Sequence, residues 1–138
     1  MGIMSRFFKK NEIEIEDPIF GKIKYENGLW VYIPDEAEQD FMITIYAPKS
    51  GPTELQKDFY KRIETNLRIL EDRAKEFLLN HNVRGGDVSA FKIYSIEIGD
   101  EEEIRKNMYV IEFSDEDANE IYRIQFKKDL PASLAVDD

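Results

Sequence analysis

The sequence predicts an α+β domain in which a mainly antiparallel sheet of about six strands carries one long amphipathic helix on one face. Two patterns support this prediction. Apolar residues recur every three or four positions between residues 55 and 78, which is typical of a helix, and they alternate with polar residues in the runs on either side, which is typical of strands. The predicted order is three strands, the helix and three more strands. We assign residues 1–16 to an N-terminal arm, 17–130 to a single domain and 131–138 to a C-terminal tail.

The first three strands are predicted from β-rich runs that end at turn residues. The first two runs are separated by Asn27 and Gly28, and an Asn-Gly pair is the strongest short hairpin signal because both residues tolerate positive φ angles. The third run follows an acidic turn and alternates with period two. These strands are predicted at residues 19–25, 29–34 and 41–47.

The register of this hairpin decides where its aromatic side chains lie. If Glu26 joins Asn27 and Gly28 in a three-residue loop, Trp30 and Tyr32 lie on the face away from the helix. A two-residue loop shifts the register and places both aromatics in the core. The three-residue loop separates apolar from polar side chains more cleanly, so it is the favoured register, and the buried position remains the alternative.

The helix is predicted to begin at Thr53, because Gln56 follows at the spacing of a capping box. Its apolar stripe then consists of Leu55, Phe59, Ile63, Leu67, Leu70, Ala74, Phe77 and Leu78. After Gly85 and Gly86, three more alternating runs predict the remaining strands at residues 91–98, 108–113 and 121–126.

Composition limits the function classes. The chain has 138 residues and a net charge of −10, with no cysteine and a single histidine. The acidic surface repels phosphate, so we expect no nucleic-acid binding. The absence of cysteine indicates a cytoplasmic protein, and no apolar run approaches the roughly 18 to 20 residues of a membrane span, so we expect no stable membrane insertion.

No motif in the sequence predicts a catalytic residue, a cofactor or a metal site. The turn at Asp115, Glu116 and Asp117 resembles the start of a calcium loop. However, Glu120 stands where such a loop needs glycine, and Phe126 stands where it needs a bidentate carboxylate. We therefore predict an ordinary turn between strands.

The predicted partner-binding surface combines aromatic residues with acidic loops. An aromatic patch on an open sheet face is a typical contact surface, and acidic residues at its rim attract a basic partner. The candidate contact residues are Trp30, Tyr32, Tyr46, Asp35, Glu36, Glu38, Glu101, Glu102 and Glu103.

Residues 17–25, followed by Trp30, resemble the D-P-x-F-G-x-[IL]-x-[YF]…W opening of a bacterial family of uncharacterised function. Looser similarity extends over residues 17–128. Members of this family often look like toxin-immunity or neighbourhood proteins, and the family has no catalytic residues to carry over. The resemblance implies a bacterial, cytoplasmic and non-enzymatic domain.

Two function classes follow from these observations. The first is a non-enzymatic protein-binding module, of an immunity or regulatory type, that presents acidic loops and an aromatic sheet face to a basic protein partner. The alternative is a small hydrolase or metal-dependent enzyme that uses loop carboxylates. The sequence leaves the oligomeric state open, including a homo-oligomer.

Overall fold

The computed structural model describes residues 13–34, 41–83, 88–115 and 119–137. Within these residues the chain forms one eight-stranded sheet and three helices. The strands are β1 (Ile13–Asp17), β2 (Gly21–Glu26), β3 (Leu29–Tyr32), β4 (Met42–Tyr46), β5 (Phe91–Ile98), β6 (Met108–Asp115), β7 (Glu120–Lys127) and β8 (Leu130–Asp137). The helices are α1 (Glu54–Thr65), α2 (Leu67–Asn80) and α3 (Glu101–Arg105).

The strands lie in the sheet in the order in which they occur in the chain. All neighbouring pairs are antiparallel except β4 and β5, which are parallel. Two antiparallel meanders, β1–β4 and β5–β8, therefore meet at a parallel seam, where Met42 pairs with Ser95 and Ile45 with Ile98. Parallel neighbours require a long crossover connection, and α1 and α2 lie within it.

The prediction of six strands with one long helix is wrong, although the domain is α+β. The two additional strands are the edges of the sheet, and they arise mostly from segments assigned to the arm and the tail. In β1 the alternation of Ile13 and Ile15 with glutamates covers only five residues. In β8, Pro131 and small side chains weaken the local strand signal, so pairing with β7 defines the strand.

The predicted long helix is two helices that meet at Asn66. The Asn66 side-chain amide donates to the backbone oxygen of Arg62 at 2.9 Å, and its backbone leaves the helical region at φ −104° and ψ 14°. Asparagine interrupts helices because its side chain competes for backbone hydrogen bonds. The predicted start is confirmed: Thr53 Oγ1 accepts from the Gln56 N–H at 3.2 Å, and Gln56 Oε1 accepts from the Thr53 N–H at 2.9 Å.

The β2–β3 hairpin closes through two residues, so the favoured three-residue loop is wrong. Glu26 pairs with Leu29, which leaves Asn27 and Gly28 as the turn, with φ angles of 52° and 85°. Positive φ at both positions is typical of the type I′ turn, whose twist matches that of the strands. The register shift turns Trp30 toward the helices, as the alternative reading of the hairpin required.

The core fills the space between the helices and one face of the sheet. Trp30 is fully buried, its ring centroid lies 5.2 Å from that of Tyr25, and its Nε1 donates to the backbone oxygen of Pro48 at 2.8 Å. Most of the predicted stripe is buried, but Leu55 at the start of α1 is exposed. Other fully buried side chains include Tyr60, Phe91, Phe113, Phe126, Ile45, Ile63, Leu70, Leu78, Ile96 and Ile98.

A polar cluster around Asp129 joins the helices to the β7–β8 turn. The Asp129 carboxylate accepts from Arg62 Nη1 at 2.7 Å and from the Tyr109 hydroxyl at 2.9 Å. Arg73 Nη1 donates to the Asp129 backbone oxygen at 2.8 Å. Because Arg62 belongs to α1, Arg73 to α2 and Tyr109 to β6, this one turn residue bridges three elements. Burial, followed by the hydrogen bond to Asp129, raises the pKa of Tyr109.

Gln56 joins the start of α1 to the parallel seam. Its Nε2 donates to the backbone oxygens of Tyr46 and Gly99, each at 2.8 Å. Tyr46 ends β4, and Gly99 follows the last residue of β5. Gln56 is buried, so these hydrogen bonds are shielded from water.

Candidate functional site

The face of the sheet opposite the core, which we call the outer face, is lined with polar side chains in its central strands. Strand alternation turns apolar residues of β4–β7 toward the core and leaves their neighbours on the outer face. The cross-strand register brings these outer residues into rows. The polar residues among them include Thr44, Tyr46, Ser95, Glu97, Glu112, Arg123 and Gln125.

An ion-pair network lies at the centre of the outer face. Arg123 on β7 binds Glu97 on β5 through both terminal guanidinium nitrogens, with Nη2 donating to Oε1 at 3.0 Å and Nη1 donating to Oε2. Nη1 also donates to Glu112 Oε2 at 3.1 Å, and Ser95 Oγ donates to Glu112 Oε1 at 2.6 Å. The hydrogen bond to Glu97 is the main cause that raises the pKa of Arg123, so its positive charge is permanent.

Tyr46 stands beside this network at the end of β4. Its side chain is exposed, and its hydroxyl donates to Glu97 Oε1 at a long distance of 3.5 Å. Partial burial is the main cause that raises the pKa of Tyr46, and the Glu97 carboxylate contributes next. The phenol is therefore neutral at physiological pH, and its ring offers an aromatic contact to solvent.

A cleft of about 300 Å³ opens between this network and the start of α3, and we call it the acidic cleft. Asp100 caps α3, because its Oδ1 accepts from the Glu103 N–H at 3.1 Å. Three carboxylates and one guanidinium line the acidic cleft, so its electrostatic field favours a cation. Its polar lining consists of Tyr46, Glu97, Asp100, Glu103, Arg123 and Gln125.

Two of the predicted contact residues, Tyr46 and Glu103, meet at this cleft. Glu101 and Glu102 lie on the same short helix, where they form ion pairs with Arg105 at 3.3 Å and Lys106 at 3.5 Å. These acids stand near the cleft without lining it.

Two other predicted contact residues lie elsewhere. Trp30 is buried in the core, which removes it from any exposed contact surface, and Tyr32 is half-buried against the core. The predicted aromatic patch of Trp30, Tyr32 and Tyr46 is therefore wrong, because the hairpin has the two-residue register and not the favoured three-residue one. The predicted acidic loop of Asp35, Glu36 and Glu38 lies outside the described residues.

Sequence reasoning missed Glu97, Arg123 and Gln125. The alternation in the later strands did mark these residues as facing away from the core. The antiparallel pairing of β5, β6 and β7 brings these three residues together, and the parallel pairing of β4 with β5 then carries Tyr46 to the side of Glu97. No local signal in the sequence specifies that pairing.

The motif that carries the family resemblance has a structural role in this chain. Asp17 Oδ2 accepts from the N–H groups of Ile19 and Phe20, both at 2.9 Å, and its Oδ1 lies 3.2 Å from Lys57 Nζ. Phe20 is buried in the core, and Gly21 adopts a φ of 79°. These residues shape the β1–β2 turn and dock it on α1.

The arrangement of the acidic cleft suits binding of a positive group. Both oxygens of Glu97 are held by Arg123, which fixes this carboxylate as a charge in a rigid network. Among the residues that the structure describes, no three His, Cys, Asp or Glu side chains are grouped so that they could hold a metal ion. We therefore take the acidic cleft as the candidate binding site.

Comparisons of the chain with protein-family models, with curated proteins and with solved structures found no match. The family resemblance at residues 17–25 therefore stays a prediction. In the part of the chain that the structure describes, no helix has the length and apolar character needed to cross a membrane.

Proposed function

We propose that this protein is a non-enzymatic, cytoplasmic protein-binding module of an immunity or regulatory type, which receives a basic side chain of a protein partner in the acidic cleft. The observation that supports this proposal is the meeting of Tyr46 and Glu103 at one cleft. An exposed aromatic ring and an acidic segment, each suggested separately by the sequence, there line the same cleft beside Glu97.

The chemistry of the acidic cleft favours an arginine or lysine side chain. A guanidinium that enters beside Glu103 and Asp100 gains charge-assisted hydrogen bonds to carboxylates, which are stronger than hydrogen bonds between neutral groups. Tyr46 is exposed and lines the same cleft, and a tyrosine ring can add a cation–π contact with this group. The charge of Arg123 is already matched by its ion pairs with Glu97 and Glu112, so Arg123 repels the incoming cation little.

The remaining acids of α3 act on the encounter with the partner. Glu101 and Glu102 lie on α3 near the rim of the acidic cleft. Charges at the rim of an interface mainly change the association rate. Neutralising Glu101, Glu102 and Glu103 together should therefore slow association and flatten its dependence on salt. Folding should change little, because exposed ion pairs contribute only about 0–1 kcal/mol each.

The proposal can be tested without knowing the partner, by NMR titration of the full chain with a capped arginine peptide and with its citrulline counterpart. The two peptides have similar shape, but only arginine is charged. We expect shifts of amide signals in α3 and around Tyr46 with the arginine peptide, weakening as salt is added. Glu103→Gln should abolish these shifts, whereas Glu76→Gln, an equal charge change at an exposed site on α2, should preserve them.

Three results would contradict the proposal. Equal shifts with the citrulline peptide would show that charge is not recognised. Shifts confined to another surface would place the site elsewhere. Equal weakening of binding in Glu103→Gln and Glu76→Gln would indicate nonspecific attraction to the acidic protein as a whole.

A further inference from the structure

The two edges of the sheet differ in how they are protected against pairing with another strand. Edge strands expose unpaired backbone groups, and natural proteins usually protect them with charged residues, prolines or bulges. In β1 three of the five residues are acidic, so a second β1 strand would bring like charges together. In β8 the first charged residue is Asp137, at the end of the strand.

Only the second half of β8 is open to pairing. Pro131 lacks a backbone N–H, and the register with β7 shifts between Gln125 and Phe126, which marks a bulge. From Ser133 to Asp137 the pairing with β7 is regular. Among the described strands, β8 has β7 as its neighbour on one side and no strand on the other.

This open half has a self-complementary sequence. Leu134 and Val136 lie opposite core residues of β7, whereas Ser133 and Ala135 lie opposite residues of the outer face. A two-fold axis at Ala135 would pair Leu134 of each copy with Val136 of the other on the helix side. It would also place Ser133 opposite Asp137 on the outer side, so that no two carboxylates face each other directly.

We propose that two copies of this chain associate through antiparallel pairing of their β8 strands about Ala135, which joins their sheets into one continuous sheet. A second copy is the occupant that the strand itself specifies, because one register satisfies its apolar, small and polar positions at the same time. The exposed side chain of Val136 becomes covered in this arrangement, and the partly buried side chain of Leu134 becomes more deeply buried.

Electrostatics distinguishes this dimer from the proposed binding of a basic partner. Each copy carries a net charge of −10, so the two copies repel at long range while their contact strands carry almost no charge. Salt screens that repulsion. Dimerisation should therefore strengthen as salt is added, whereas binding of a basic side chain in the acidic cleft should weaken.

The test is analytical ultracentrifugation of the full chain over a range of concentrations and at two salt concentrations. We expect a reversible monomer–dimer equilibrium. Ala135→Lys and Ala135→Glu should each raise the dissociation constant by about tenfold or more, because each places like charges opposite one another at the axis. An equimolar mixture of the two variants should restore the dimer, because lysine then faces glutamate.

Controls separate this interface from a general change in charge or fold. Ile33→Lys adds the same charge at a highly exposed apolar residue far from β8 in the order of strands, and it should leave the equilibrium unchanged. Val136→Lys provides a second disruption of the interface at an exposed residue, should Ala135 variants fold poorly. A monomer at every concentration would overturn the proposal, as would a dimer that tolerates the Ala135 and Val136 variants or a variant mixture that stays monomeric.

Discussion

Replacing Trp30 by alanine removes the largest of the fully buried side chains and tests the hairpin register directly. In the two-residue register the indole is in contact with Tyr25 and its Nε1 bonds to Pro48. In a three-residue register it would lie on the outer face. The two registers predict very different losses of stability for the same substitution.

The structure sets the size of the expected loss. Truncation of a buried tryptophan to alanine costs about 3–5 kcal/mol, since it leaves a cavity, and the Pro48 oxygen loses one of its two donors while it keeps the Gly51 N–H. For a domain of this size the melting temperature should fall by about 10–20 °C. Tyr46→Ala removes an exposed ring, so it should cost less than about 1 kcal/mol.

Urea denaturation followed by circular dichroism measures these losses as changes in the free energy of unfolding. Trp30→Phe is the matched variant, because it retains most of the ring and loses the hydrogen bond, and its expected cost is about 1–3 kcal/mol. A Trp30→Ala variant that loses no more stability than Tyr46→Ala would refute the two-residue register. Trp30 would then lie on the outer face, as the three-residue loop predicts.

Three further predictions concern the core and the Asp129 cluster. Ile63→Ala should lower the free energy of unfolding by about 2–5 kcal/mol, whereas Leu55→Ala should cost less than about 1 kcal/mol; equal losses in denaturant melts would contradict the observed burial. Asp129→Asn should cost about 1 kcal/mol, because it weakens the charge-assisted bond from Arg62 while asparagine still tolerates the positive φ; an unchanged midpoint would show that the cluster contributes nothing. The raised pKa of Tyr109 means that the unfolded chain loses the phenol proton first, near pH 10, so stability should hold below that pH and decline above it; a Tyr109→Phe variant with the same decline in pH-dependent melts would rule out this phenol as a cause.

Local signals in the sequence predicted the central elements of the fold. The Asn-Gly turn and the capping box at Thr53 depend on neighbouring residues alone, and both occur in the structure. The break at Asn66 escaped detection because the apolar spacing continues from Ile63 to Leu67 as if the helix were unbroken. Periodicity reports which face is buried, and it does not report whether backbone hydrogen bonds continue.

The candidate site was harder to predict because its residues come from distant parts of the chain. Glu103 could be proposed from its acidic run, and Tyr46 from its place in an alternating strand. Glu97 and Arg123 became site residues only through strand order, which sets Glu97 beside the end of β4 and Arg123 beside Glu112. Register and strand order depend on the packing of the whole sheet.

The parallel seam has a consequence for how the chain folds. Each meander is built from hairpins whose strands are near neighbours in the chain, so each can form quickly, whereas the seam must bring Met42 to Ser95 across both helices. Contacts between distant residues form late because they carry the largest loop-closure entropy. Gln56, which holds the ends of both seam strands, should therefore gain its hydrogen bonds late in folding. Gln56→Ala should accordingly accelerate unfolding more than it slows refolding in stopped-flow measurements, and the smaller effect on refolding comes from the lost capping-box hydrogen bond to Thr53.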